Sequence, residues 1–238
     1  MKTLSIGDIH GRDIWKKIIE DNSWNKVIFV GDYCDSWDKE NQEIIQNLYD
    51  IIEFKKENKD NVILLLGNHD VHYIYGYDKY GASGYRPAYA DIIKDIFTIN
   101  KDLFQFSYQI DNILWTHAGV SNGWYYKCFE KLHLIDKYRS LDFEESMTLS
   151  DKLNYLFDNQ ISILFNVGYE RGGMNRYGGP LWADKAEFTS RGASLKNYIQ
   201  IAGHNPVNEI TTHTVNNDRS ITFIDCLEHR AKGYLLDI

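Results

Sequence analysis

Five short apolar runs in this chain each stop at a small residue and then at a residue able to ligate a metal. They are Leu4 to Ile6 before Asp8 and His10, Val27 to Val30 before Asp32, Val62 to Leu66 before Asn68, Ile113 to Trp115 before His117, and Tyr198 to Ile201 before His204. Runs of this length, rich in β-branched and aromatic residues, predict strands. Apolar helix faces follow the first two, at Ile14, Trp15, Ile18 and Ile19 and then at Ile44, Ile45, Leu48, Ile51 and Ile52 before Asn58 to Asn61 break the pattern. These are βα units, and in open α/β sheets the loops beyond the strand carboxyl ends converge on a crevice. An α/β fold with a site at the strand C-terminal ends is therefore expected.

Oxygen and imidazole donors without thiolate suit manganese, iron, zinc or magnesium better than a structural zinc knot. A carboxylate between two cations can bridge them, and such a pair clamps the attacking and leaving oxygens of a phosphoryl displacement. Asp32 is the candidate bridge.

The length of 238 residues and a hydrophobic content of 43% suit one domain with a substantial core, spanning 1 to 238. The N-terminal residues run straight into the first ligand motif, so a cleaved signal peptide is not expected, and no apolar run reaches the roughly 18 to 20 residues of a membrane span. Cys34, Cys128 and Cys226 show no paired spacing, which fits a reducing, cytoplasmic setting, and Cys34 reads as a packing residue. A formal net charge of -8 without a basic stripe argues against duplex nucleic acid as a partner.

Tyr73, Tyr75, Tyr77, Tyr80, Tyr85 and Tyr89 crowd residues 71 to 90 among Gly76, Gly81 and Gly84. This reads as an ordered loop, either a rim that stacks on a substrate ring or a cover for a sheet edge. About 124 to 167 carries helical signals, including the Thr148 to Asp151 capping pattern, and reads as an insert that walls the cleft or shields the sheet. Gly-rich 168 to 180 is a loop. Ile210 to Val215, Ser220 to Ile224 and Gly233 to Leu236 read as antiparallel strands flanking a second sheet. His72, His133, His213 and His229 sit in no motif and read as surface or packing residues.

GDIHG at 7 to 11, GDYCD at 31 to 35, GNHD at 67 to 70, HAGVS at 117 to 121 and GH at 203 to 204 resemble, in order, the calcineurin-like metallophosphoesterases. The wording is nearest the branch of serine/threonine protein phosphatases, phage-type phosphatases and symmetrical dinucleoside tetraphosphatases. The resemblance implies a four-layer α/β/β/α sandwich with two mixed sheets. It implies two divalent metal ions, manganese foremost, with Asp8, His10 and Asp32 on one and Asp32, Asn68, His117 and His204 on the other. His69 would protonate the leaving oxygen, oriented by Asp35, and a metal-bridging hydroxide would attack a phosphomonoester of a protein or small molecule. HAGVS keeps a dinucleoside polyphosphate substrate open as the alternative.

Two departures from the family pattern bear on substrate. Ser36-Trp37 stands where protein phosphatases carry Arg-Gly, so that motif's phosphate-clamping arginine is missing. Arg171, Arg176 and Arg191 lie where the family places a second phosphate-contacting arginine, and Arg171 is favoured because glycines flank it. GGPLWAD at 178 to 184 resembles a wall segment of the same branch, and Pro206 replaces the last histidine of a GHxH ending. The missing arginine also defines the competing reading, a catalytically silent scaffold that keeps the metals and binds a partner.

Overall fold

In a computed structural model describing residues 1–138, 141, 143–189 and 194–238, the chain's contacts divide into two units. The first comprises Met1–Gln105, Pro206–Ile210 and Ile224–Ile238, and the second Phe106–Asn205 and Thr211–Phe223.

The first unit is built on strands β1 (Lys2–Ile6), β2 (Lys26–Phe29), β3 (Val62–Leu65), β4 (Phe104–Gln105) and β10 (Tyr234–Asp237), in the order β10-β1-β2-β3-β4. β1 to β4 are mutually parallel, and β10 pairs antiparallel with β1. Leu4, Ile6, Val27 to Phe29, Leu64 and Leu65 are fully buried. Burial on both faces is why these runs are continuously apolar instead of alternating. Helices α1 (Ile14–Glu20) and α2 (Asn41–Glu57) bury the expected faces, Trp15 and Ile18 on one and Ile44, Leu48, Ile51 and Ile52 on the other. The last strand does not join the second sheet as expected. It covers the open edge of β1, with Thr3 opposite Leu236, which blunts an edge that would otherwise template pairing.

Residues 71 to 90 are not one loop: outside 81–86 they are largely helical. Helix α3 (Asn68–Tyr75) runs through the start of the segment, followed by α4 (Tyr77–Tyr80) and a 3-10 turn at Pro87–Tyr89 that leads into α5 (Ala90–Ile99). Gly76, at φ 105°, marks the junction of the two helices. The glycines therefore punctuate short helices here, where the sequence predicts one ordered loop.

The second unit carries β5 (Ser107–Ile110), β6 (Ile113–Thr116), β7 (Ile199–Ala202), β8 (Thr211–Asn216) and β9 (Arg219–Phe223), in the order β5-β6-β7-β9-β8. The central pairs are parallel and the outer pairs antiparallel, so both sheets are mixed, as expected. Between β6 and β7 lie α6 (Asn122–Trp124), which continues into a π turn, and α7 (Leu149–Asp158). Thr148 caps α7: its Oγ1 accepts from Asp151 N at 3.1 Å while Asp151 accepts from Thr148 N at 2.9 Å. Asn154 on α7 then accepts from Phe106 N and Ser107 N at the start of β5. The inserted helix thus shields that sheet edge. Among the described residues no helix is long and apolar enough to cross a membrane.

Candidate metal and acid-base site

In the first unit the turns after β1 and β2 interlock. Ile9 N and His10 N both donate to the Asp32 carbonyl, at 3.1 and 2.8 Å. The ligand atoms of Asp8, His10 and Asp32 consequently lie within 4.8 Å of one another, with both carboxylates buried. His10 Nδ1 lies 3.1 Å from the Cys34 carbonyl and 3.0 Å from the Asp35 carbonyl. Carbonyls only accept, so Nδ1 carries the proton and Nε2 keeps its lone pair on the side of Asp32, 3.7 Å away. Burial pushes this imidazole below its ordinary value against the pull of Asp32, which preserves the neutral, ligating form.

Asp70, the last residue of GNHD, ties the turns together. Its carboxylate accepts from Asp32 N and Gly67 N at 2.9 Å on one oxygen, and from Tyr33 N at 2.9 Å and Cys34 N at 3.2 Å on the other. His69 N donates in turn to Asp32 Oδ1 at 2.9 Å. A Cβ on Gly67 would stand 2.1 Å from that same oxygen, so no side chain fits there. Asn68 follows, buried, as the first residue of α3.

His69 and Asp35 meet as expected, with Nδ1 2.8 Å from Oδ2. Burial opposes charge on His69, but Asp32, Asp35 and Asp70 outweigh it and raise the imidazole to about 9. Bound cations would oppose that rise. Burial likewise works against charge on Asp35, yet the His69 and His72 rings beside it hold it below its ordinary value.

His72 corrects the sequence reading. It is 0% exposed and its Nε2 lies 3.0 Å from Asp35 Oδ2. The signal was present, since His69 and His72 stand three apart and share a helix face, but it was hidden by reading this segment as a loop. Cys34 is buried, with its thiol pushed well up by burial, and so stays protonated as a packing group.

At the position of the missing family arginine, Ser36 is buried while the Trp37 ring is 84% exposed. Two arginines brace this turn. Arg12 Nη2 reaches Asp38 at 3.1 Å, and Arg86 donates to Asn41 Oδ1 at 2.6 Å and to the Ser36 and Lys39 carbonyls.

Within the second unit, His117 follows β6 and His204 follows β7, with ring centroids 5.1 Å apart. Gly203 N donates to the His117 carbonyl at 2.8 Å, joining the two loops. Arg171 lies beside them: Nε is 2.9 Å from Asp184 Oδ2, and Nη2 is 2.6 Å from Asn205 Oδ1 and 3.4 Å from the His204 carbonyl. Asn205, which the sequence reading passed over, also accepts from Lys185 N and donates to the Ala183 carbonyl, fastening the GGPLWAD segment to the residue after His204. Trp182 packs edge-on against His204 at 5.6 Å. Arg176 is exposed above the Tyr177 ring, away from these contacts, and Arg191 lies outside the described residues.

Hard oxygen and nitrogen donors, a neutral imidazole with its lone pair free, and buried carboxylates gathered within one turn system fit a divalent cation of the manganese, iron, zinc or magnesium type.

A model of the calcineurin-like phosphoesterase family matches residues 1–223. Among solved structures, a cold-active protein-tyrosine phosphatase of the psychrophile Shewanella sp. is 18% identical over 99% of this chain and 75% of that one, with a TM-score of 0.57. A second structure of a cold-active protein tyrosine phosphatase is also 18% identical, over 98% of this chain and 72% of that one, with a TM-score of 0.54. At these identities the likeness concerns the fold. No curated protein matches the chain.

Proposed function

The chain belongs to the calcineurin-like phosphoesterase family, and on that footing we propose that it is a two-metal phosphatase that hydrolyses phosphomonoesters of a protein or small molecule. The observation that carries this reading is the pairing, within one unit, of the Asp8, His10 and Asp32 cluster with the His69 and Asp35 couple. Asp8, His10 and Asp32 would hold one cation, and Asp32, Asn68, His117 and His204 the other. That ligand set is drawn from the family resemblance. When bound, two divalent cations supply Lewis acidity and bring the pKa of water toward neutrality.

The protein's own part is positioning and proton supply. Asp35 occupies Nδ1 of His69, which leaves Nε2 to deliver a proton to the leaving oxygen. Asp70 and the backbone N–H groups it gathers keep the Asp32 turn in place without a side chain at residue 67 to obstruct it. Arg171, held by Asp184 and Asn205, is the candidate contact for the phosphate oxygens.

Turnover of para-nitrophenyl phosphate with and without added manganese tests the proposal. Manganese-dependent release of nitrophenol is expected, and inert protein under every metal would favour the silent scaffold. Diadenosine tetraphosphate serves as the competing substrate, since preferential release of two nucleoside diphosphates would replace the monoesterase reading.

A further inference from the structure

Asp35 receives more than the one partner its assigned role requires. Its Oδ2 faces His69 Nδ1 at 2.8 Å and His72 Nε2 at 3.0 Å, and its Oδ1 accepts from the Tyr73 hydroxyl at 2.5 Å. Which nitrogen of His72 carries its proton follows from the other end of its ring. Ala82 N donates to His72 Nδ1 at 3.0 Å, so Nδ1 carries no proton and, in the neutral ring, Nε2 does. Tyr73 is fixed in the same way, because Arg86 N donates to its hydroxyl oxygen at 3.0 Å and leaves the hydroxyl proton for Asp35.

The surrounding rings leave His72 no other place to go. Tyr73, Tyr77 and Tyr85 stand 4.4, 6.0 and 5.0 Å from it, and Tyr77 stacks on Tyr85 at 4.3 Å. Asp35 itself sits at φ 57°, a left-handed backbone that a non-glycine residue keeps only when its surroundings impose it. A carboxylate with one donor can swing about its χ2 bond, whereas one with a donor on each oxygen and the buried His72 ring pressed to 3.0 Å from Oδ2, close but not aligned as a hydrogen bond, cannot.

We infer that His72 and Tyr73 are positioning residues that lock the Asp35 carboxylate so that His69 presents its free nitrogen to the leaving oxygen, and that the tyrosine-rich segment is the casing of this network. The inference rests on the phosphatase reading above. It turns on orientation, and it assigns work to a histidine that touches neither substrate nor metal.

The test compares two esters in manganese-loaded protein. Para-nitrophenolate leaves without a proton, whereas an alkyl alcohol needs one. His72→Asn keeps a polar group near Ala82 but cannot reach Asp35. It should lower kcat for glycerol 2-phosphate by about 10- to 100-fold, and for para-nitrophenyl phosphate by less than about 3-fold, with KM and metal content unchanged. His72→Gln restores a donor toward Asp35 and should recover most of the alkyl-ester activity. Equal slowing of both esters, or no slowing of either, would overturn the inference. Should His72→Asn fail to fold, Tyr73→Phe removes only the hydroxyl, and the same unequal loss is expected from it, an equal loss or none again overturning the inference. Wild-type protein that hydrolyses neither ester would instead remove the phosphatase reading on which this one stands.

Discussion

The two units carry opposite chemistry. The first gathers four buried aspartates, Asp8, Asp32, Asp35 and Asp70, and meets the last three with backbone N–H groups and a histidine. The second offers His117 and His204 and balances Arg171, beside them, against Asp184. Imidazoles can be buried neutral at little cost, whereas clustered carboxylates need a counter-charge or a donor for each oxygen. Cations therefore matter more to the first unit. Removing divalent metal should loosen its loops before it disturbs the second unit's fold, as hydrogen exchange at residues 8–12 and 32–36 against 117–121 would report.

The strongest challenge to this contrast is Asp32→Asn. If one carboxylate serves both cations, turnover should fall more than about 100-fold and metal content should drop below that of the wild type; full metal retention would contradict the shared role. His69→Asn should keep its metal and lose roughly 100- to 10,000-fold on alkyl esters, with aryl esters less affected. Asp70→Asn strikes the scaffold of the same unit. It leaves a neutral group facing four N–H donors and should cost about 2 to 4 kcal/mol in denaturant unfolding. In the second unit, Arg171→Ala should weaken inhibition by inorganic phosphate about tenfold, a loss of one charge-assisted contact. Arg176→Ala, exposed over Tyr177, should change both activity and stability by less than about 2-fold or 0.5 kcal/mol; a larger effect would shift the clamp to that residue.

Much of this was legible in the sequence because strand ends leave a local trace. An apolar run, a small residue and a ligand mark a parallel strand and the turn that follows it, and β1, β2, β3, β6 and β7 all fall where those runs predicted. His69 and Asp35 could be paired only through the family resemblance, since nothing local joins residues 34 positions apart. His72 escaped because its role depends on a helix that tyrosines and glycines disguised. Asn205 and Arg12 escaped for a different reason: single polar residues acquire meaning only through partners distant in sequence, Ala183 and Lys185 for one and Asp38 for the other. The pairing of β10 with β1 was invisible for the same reason, because an edge strand shows its own alternation but not its neighbour's identity.

His10, Asp32, Asp35 and His204 all adopt left-handed backbone, at φ between 45° and 61°. Glycine would relax each of these positions and remove the group that gives it purpose. A survey of variants scored by protein abundance should thus find glycine better tolerated at His10 and His204 than at Asp32 and Asp35, whose carboxylates accept from His69 N and the Tyr73 hydroxyl, while a survey scored by turnover finds it ruinous at all four. Any programme of thermal hardening guided by folding alone would dismantle this enzyme from its centre outward.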